Sequence, residues 1–490
     1  MRRSLVITFL STNASTIVQF FVTVVVSRYL SPKEIGIFSI TVVFVGVIAV
    51  FRDFGVTSYL QREEGLTPAK LRSALGLLLT TSWVLSGLIY LSSPHVARFY
   101  NEPGIENVIN VFSISYLLLP FASYFYAIHA RNLEAGKQAV VNAFSTIAFA
   151  VSCLGLVYLG HSYMALAWAN VINIAVTILV YLVLKHESTP LMPSWHGWQR
   201  PAAFGSGAIL GNLIDKLNAS IPDLLLGKTS GAAAVGLYSR ASGLVGIFQQ
   251  IFGPTIGYSA VPIIAKNHHL KADLSPLIFK AASYLTCISW FAFILTAILA
   301  AEVIEFLYGK QWLPAAPIVI IICVQAAIRA GFTMTQPALM AIGKPYLSAA
   351  SSGFSALLKI APILAFGITD LYNFALAICA AEVGAVIVFA VLSQKYLGYA
   401  IHTAVRAYWV SFKVCAPCLV FAFVLKATLP AGLPNLLVIA LVGSSSLLVW
   451  LVCVFWMRHP LRLEIENGLN HVLPPRLAGP VQTLLRRHTR

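Results

Sequence analysis

The sequence predicts an all-α polytopic membrane protein: about 14 transmembrane helices, in two six-helix lobes plus two C-terminal helices. Three observations carry this. Of 490 residues, 58% are hydrophobic and only 10% charged, against about 25% charged in a soluble domain, so most of the surface must face lipid. Most apolar runs reach the ~20 residues that a helix needs to cross ~30 Å of hydrocarbon. The runs do not alternate with period two, which disfavours a barrel.

The predicted spans are 5–27, 36–60, 73–93, 106–126, 140–160, 162–184, 203–226, 235–260, 277–301, 316–340, 347–368, 372–394, 407–428 and 436–457. The first is too long, too polar (Ser11, Thr12, Asn13, Gln19) and too poorly bounded for a cleaved signal peptide. An even number of spans puts both termini on one side. With the N-terminus inside, twenty Lys and Arg residues flank the spans on the inner side. Only Arg28, Lys33, Arg98, Lys228 and Lys310 lie on the outer side, which orients both termini to the cytoplasm.

The net charge of +16 is therefore a topological signature. It does not indicate nucleic acid, because the basic clusters lie between spans and not on one soluble face. All seven cysteines fall inside apolar runs. Cys415 and Cys418 have CxxC spacing without a surrounding redox fold, so they read as small packing residues, and neither disulfide nor metal is expected. The basic tail 458–490, with Pro474-Pro475 and Arg486-Arg487, fits either an anionic leaflet surface or a solvated segment.

A repeat organises the chain. Gly36-Ile37-Phe38-Ser39 returns as Gly236-Leu237-Tyr238-Ser239, an offset of 200. Gly136-Lys137 and Gly343-Lys344 follow at 207, each on an inner connection. The reading is two parallel six-span copies, 1–200 and 201–400, then spans 13 and 14 over 401–457 and the tail. Transporters of this arrangement bind substrate between the halves.

Charges inside spans point to function, since each is costly in hydrocarbon and turns toward a bundle interior or a wet cavity. Arg52 and Asp53 lie deep in the second span. They either neutralise each other or, about 100° apart on a helix, serve different faces. In the seventh span Asn212, Lys216 and Asp223 share a stripe. Lys216 and Asp223 are about 10.5 Å apart along the axis, too far to pair directly. Pro222 kinks that helix, and Asp215 lies off the stripe. The tenth span carries Gln325, Arg329, Thr333 and Gln336; the eleventh carries Ser352, Ser355 and Lys359. Arg240 either snorkels to the outer interface or lines the cavity, while Lys280, Lys413 and Lys426 read as snorkelling. Five cations (Arg52, Lys216, Arg240, Arg329, Lys359) outnumber three acids (Asp53, Asp215, Asp223). That balance suits an anionic substrate, and Arg forks suit phosphate oxygens.

Arg28-Tyr29-Leu30-Ser31-Pro32-Lys33-Glu34-Ile35-Gly36 resembles the turn after the first span of bacterial polysaccharide (Wzx-type) flippases. These belong to the multidrug/oligosaccharidyl-lipid/polysaccharide exporter superfamily. Asp223-Leu224-Leu225-Leu226-Gly227 with Val235-Gly236-Leu237-Tyr238-Ser239-Arg240-Ala241 resembles their second pattern. Ile35 stands where an aromatic is common, and Lys216 and Lys359 match no motif of the family. The resemblance implies a V-shaped pair of lobes around a cationic cavity, lined by Arg52 and Arg240. It implies alternating-access transfer of undecaprenyl-pyrophosphate-linked oligosaccharide to the outer leaflet. The substrate-binding set is then Arg52, Arg240, Arg329, Lys216, Lys359, Asn212 and Gln325. Asp53, Asp215 and Asp223 are candidates for coupling to a proton or Na+, with no other cofactor. Bends are expected at Pro222, Gly253, Pro254, Pro262 and Pro362. The partners are the lipid-linked oligosaccharide, membrane lipid and other polysaccharide assembly proteins. A drug or metabolite exporter of the same superfamily would favour acids and aromatics in its cavity. A membrane polymerase would carry a large outer loop with catalytic Arg or His, and here the outer connections are short. A receptor or scaffold would not need buried charges in both halves.

Overall fold

Among the described residues the chain forms eighteen α-helices and two short 3-10 turns, with no strand. The structure, a computed structural model, describes residues 2–53, 55–185, 189–430 and 432–472, with side chains described except at 2–6, 8–9, 200–208, 248–249, 251–259 and 468–472. Pro474-Pro475, Arg486-Arg487 and the side chains of Gly253 and Pro254 therefore lie outside the described residues.

The first half runs α1 (Arg2–Tyr29), α2 (Pro32–Arg52), α3 (Val56–Arg62), α4 (Pro68–Tyr100), α5 (Pro103–Arg131), α6 (Ala135–Tyr158) and α7 (Met164–Leu184). Then come α8 (Gln199–Thr229), α9 (Gly231–His269), α10 (Ser275–Ile298), α11 (Ala300–Tyr308), α12 (Ala316–Arg329) and α13 (Thr335–Ala341). The chain continues with α14 (Pro345–Phe366), α15 (Leu371–Leu397), α16 (Ile401–Thr428), α17 (Asn435–Trp456) and α18 (Leu461–Val472). Twelve helical segments among the described residues are long and apolar enough to cross a membrane. The predicted seventh and eighth spans exist as α8 and α9 but fall outside that set. Polar groups such as Asn212, Asp215, Lys216 and Asp223 interrupt α8. Both helices also include stretches whose side chains are not described.

The second predicted span, 36–60, is broken. α2 stops at Arg52, Gly55 takes a left-handed φ of 71°, and α3 restarts at Val56. Glycine reaches that conformation without a Cβ clash. Arg52 and Asp53 thus sit at a helix end and not in mid-helix.

Two compact units emerge. The first holds Met1–Ser239 with the short segments Leu307–Gln311 and Ile368–Leu371; the second holds Arg240–Phe306, Trp312–Gly367 and the chain from Tyr372 onward. The sequence repeat divides the chain at 200, whereas packing divides it at Ser239. α8 and the start of α9 lie against α2 within the first unit, and close contacts explain why. A Cβ on Gly36 would land on the Ala232 carbonyl oxygen, and one on Gly236 would land on the Pro32 carbonyl oxygen and within 3.2 Å of the Gly36 nitrogen. Ser39 and Ser239 hydroxyls meet at 3.2 Å. Gly36 with Gly236 and Ser39 with Ser239 are equivalent positions 200 apart, and the carbonyls they face lie one turn before the partner glycine, so the two repeat copies cross backbone to backbone.

The turn before this crossing is built by its own residues. Ser31 caps α2, Pro32 fills its first turn, and Glu34 Oε2 accepts from the Ser31 backbone N at 2.7 Å, a capping box. Gln311 Nε2 donates to the Ser27 and Leu30 carbonyls at 3.1 and 3.2 Å, tying off the end of α1. The first unit's core gathers Val56, Leu60, Leu75, Leu78, Tyr124 and Tyr181, which anchors α3 despite its seven residues.

In the second unit, Ile278, Phe332, Phe389 and Tyr399 form one core. Cys287, Cys415, Trp450 and Leu461 form another. Buried hydroxyls bridge helices where lipid offers no alternative partner: Thr286 meets Ser411 at 2.6 Å and Thr335 meets Ser393 at 2.8 Å. Lys280 and Lys426, read from sequence as snorkelling, meet acids. Lys280 pairs with Glu464 at 2.9 Å, and Lys426 with Glu302 at 2.8 Å. The Lys280–Glu464 pair docks α18, so the tail begins as a helix fixed to α10. Beside it His459 is buried, with Nδ1 accepting from the Leu461 backbone N at 3.1 Å. Burial pushes its pKa down to about 4.

Two outcomes follow from these contacts. Gly236→Val must displace the Pro32 backbone, so the detergent-purified protein melts several degrees lower. Gly87→Ala meets open space and melts within a degree of the parent. An equal melt for both would remove the crossing from its central place. For His459, the unfolded chain takes a proton below pH ~6.5 that the folded site refuses until about 4. Docking of α18 therefore weakens as pH falls from 7 to 5, read as faster proteolysis at 457–461; the His459→Phe variant loses that pH dependence.

Candidate functional site

The helix break in the second span opens onto a cavity of about 530 Å³ inside the first unit. α1, α2, α3, α5, α6 and α7 all contribute to it. Of its seventeen lining residues only Ala122 and Val141 are apolar. Asp53 accepts from the Thr57 hydroxyl at 2.6 Å. Arg52 has a buried Nε with no hydrogen-bond partner among the described residues. Its carbonyl accepts from Thr81 at 2.9 Å, which holds the helix end in place. Arg52 and Asp53 both line this cavity, with Asp53 turned to Thr57 on α3. The lining also includes Gln19, Ser123, Asn142 and Asn173, polar residues scattered over four sequence-distant spans.

The predicted α8 stripe divides. Asn212, Asp215 and Lys216 are exposed, and Asp223 is half-buried. Lys216 lies on α2: a Cβ on Gly46 would come within 3.0 Å of its Cε and 3.1 Å of its Nζ. Seven residues further on, Asp223 Oδ1 is buried without a hydrogen-bond partner among the described residues. The neighbouring turn is pinned, since Tyr100 donates to the Leu224 carbonyl at 3.2 Å and its ring fills the space over Gly227.

In the second unit, Arg240 is half-buried with its guanidinium 5.8 Å from the Trp312 ring centroid, a cation–π contact. Arg329, Gln325 and Lys359 converge on a residue that the sequence reading missed. Glu382 on α15 is 1% exposed. It accepts from Arg329 at 3.1 Å and from Gln325 at 3.3 Å. Arg329 also donates to Gln336 at 3.2 Å, and Gln336 donates to Ser352 at 2.8 Å. Lys359, 6% exposed, lies within electrostatic reach of both Glu382 and Arg329. Arg329 and Lys359 are therefore partly compensated cations in a buried network. The signal was available: Glu382 is a carboxylate in the middle of a predicted span, and the same cost that singled out Asp53 applies to it.

A second concavity, about 950 Å³, lies along α16 and is apolar apart from Lys413. Ala416, Pro417, Val420, Phe421, Val424 and Met457 line the rest. Lys413 sits at its edge, with Nζ 5.5 Å from the Trp409 ring centroid.

The helical fold has known counterparts. The lipid II flippase MurJ, in an inward closed conformation, superposes with a TM-score of 0.73 at 14% identity, over 92% of this chain and 99% of that one. The lipopolysaccharide biosynthesis protein WzxC of Escherichia coli (strain K12) is 20% identical over 447 residues, 90% of this chain and 91% of its own length. The teichuronic acid biosynthesis protein TuaB of Bacillus subtilis (strain 168) is 23% identical over 309 residues, 60% of this chain and 62% of its own. The fold is that of a polytopic helical membrane protein with a polar cavity among its spans. Residues 25–317, more than half of the chain, match the family model described as polysaccharide biosynthesis protein, and the chain belongs to that family.

The buried network makes a sharp expectation. Glu382→Gln leaves Arg329 and Lys359 facing each other without a carboxylate, and the thermal midpoint falls. Adding Lys359→Met removes that repulsion and restores part of the loss, a coupling of about 1 kcal/mol or more. Additive losses in the double variant would show that the three side chains do not act together.

Proposed function

We propose that this protein is a flippase that carries undecaprenyl-pyrophosphate-linked oligosaccharide repeat units across the bacterial inner membrane by alternating access, for surface polysaccharide biosynthesis. One observation carries the reading. The chain holds two unlike concavities, a polar one with an unpartnered arginine nitrogen and an apolar one edged by a lysine. The first suits an anionic head group and the second a hydrocarbon chain, the two chemistries of a lipid-linked anion. The names of the relatives agree: two are a lipopolysaccharide and a teichuronic acid biosynthesis protein, and the fold counterpart is a lipid II flippase.

In this reading Arg52 and Lys216 take the pyrophosphate in the first unit, and Arg240 takes it in the second. Arg329, Lys359, Gln325 and Asn212 set the surrounding potential. The tail occupies lipid or the α16 groove, where burial of hydrocarbon contributes about 0.8 kcal/mol per CH₂. Among the three candidate coupling acids, Asp223 has the strongest support, because a buried carboxylate oxygen without a donor is relieved by taking a proton or a cation. Asp53 already accepts from Thr57, and Asp215 is exposed. Both termini face the cytoplasm, with the Gly36–Gly236 crossing toward the outer side.

Deleting the gene causes the lipid-linked oligosaccharide to accumulate on the inner leaflet. Arg52→Ala and Arg240→Ala, at normal membrane levels, each reduce polymer export about tenfold or more. No accumulation together with raised drug sensitivity would instead favour a drug exporter. A green fluorescent protein fused at the C-terminus fluoresces, and alkaline phosphatase fused there stays inactive; the opposite pattern would invert the topology.

A further inference from the structure

The cavity of the first unit is larger and more varied than a pyrophosphate needs. Arg52 alone among its lining residues is cationic, yet fourteen other polar residues share the wall. Several of these groups are not spent on the fold. Asn142, Gln19 and Ser123 make no side-chain hydrogen bond among the described residues, while Asn173 is committed to the Ser145 carbonyl at 2.8 Å. Polar groups set within a helical bundle and left unspent by the protein are donors and acceptors for a ligand.

The chemistry selects the ligand. Arg52 and Asp53 leave the wall without net charge, so beyond the guanidinium that takes the phosphate the cavity offers hydroxyls and amides, and that guanidinium opposes a cation on Asp53. An amide presents donors and an acceptor together, and a carboxylate presents acceptors. That mixture matches hydroxyl groups, which both donate and accept. One wall is aromatic. Tyr181 is committed to a stack with Phe125, at 5.9 Å and 27°, but Tyr126 is 46% exposed and offers a flat face with a polar tip.

We propose that this cavity is a saccharide subsite. It seats the neutral sugar next to the pyrophosphate, with Asn142, Gln19 and Asp53 on its hydroxyls and Tyr126 against its ring. The assignment rests on the flippase reading and sharpens it. Arg52 holds the phosphate at the mouth, and the amide-lined interior reads the first sugar. A site built to hydrogen-bond a hydroxyl strongly rejects ligands that lack it, because its own buried groups are then left unpaired. Asp53 repels an acidic sugar by the same geometry that accepts a neutral one.

The test uses the full-length protein in detergent. Its affinity is measured for undecaprenyl pyrophosphate and for the same lipid bearing glucose, galactose, N-acetylglucosamine or glucuronate. At least one neutral sugar improves binding about tenfold over the bare lipid, and glucuronate does not. Asn142→Ala and Gln19→Ala each lose that gain while binding bare undecaprenyl pyrophosphate as the parent does; unchanged melting without ligand shows that both variants are folded. Equal binding of bare and sugar-bearing lipids overturns the subsite, and so does a gain that survives in both variants. If Na+ alone stabilises the parent through Asp53 and no sugar does, the cavity is a cation site and the proposal fails. If undecaprenyl pyrophosphate itself does not bind, the flippase reading fails. The cavity is then judged with free glucose, galactose and N-acetylglucosamine at high concentration: binding lost in Asn142→Ala supports it, and no binding overturns it.

Discussion

Two glycines placed 200 residues apart let the repeat copies touch through their backbones. Gly36 faces the Ala232 carbonyl and Gly236 faces the Pro32 carbonyl, with Ser39 against Ser239 alongside. In lipid, helices gain little from hydrophobic attraction, so close approach, dispersion and small polar contacts must hold them together. A single methyl group at either glycine removes the approach. The rest of the first unit depends on it. The crossing fixes the start of α9, α8 follows onto α2, and Lys216 is thereby laid over Gly46.

Much of this was legible in the sequence, and for a physical reason. The Arg28–Gly36 turn has a local logic: a cap at Ser31, proline in the first turn, Glu34 three residues on, then the contact glycine. Each step acts over a few residues, so the order of side chains is enough to read it. The 200-residue repeat was legible because the same local solution is used twice. Residues 36–60, by contrast, read as one span because hydropathy is blind to a single left-handed glycine; Gly55 breaks the helix while leaving the apolar content unchanged.

The site was less legible because its parts come from distant segments. Arg52 and Asp53 stand out singly, but Gln19, Ser123, Asn142 and Asn173 are unremarkable in their own spans and meaningful only around one cavity. Glu382 shows the complementary failure. A tally of cations against acids made the second unit look like an open positive surface. Adding one buried carboxylate turns Arg329 and Gln325 into donors to a single shared acceptor, Glu382. Charge balance within a membrane is set pair by pair, and a sum over the chain cannot reveal it.

The break between α2 and α3 also shapes the electric field where it occurs. A helix end is polar even without side chains, because its last carbonyls and first N–H groups have no partners along the axis. α2 ends in carbonyls and carries Arg52 there; α3 begins in N–H groups and carries Asp53 just before it. Each charge thus lies beside the helix end of opposite sign. The dipeptide and the two helix ends form a permanent electrical step at the wall of the cavity. Its sense is set by the direction of the chain, so a molecule moving past meets a fixed polarity.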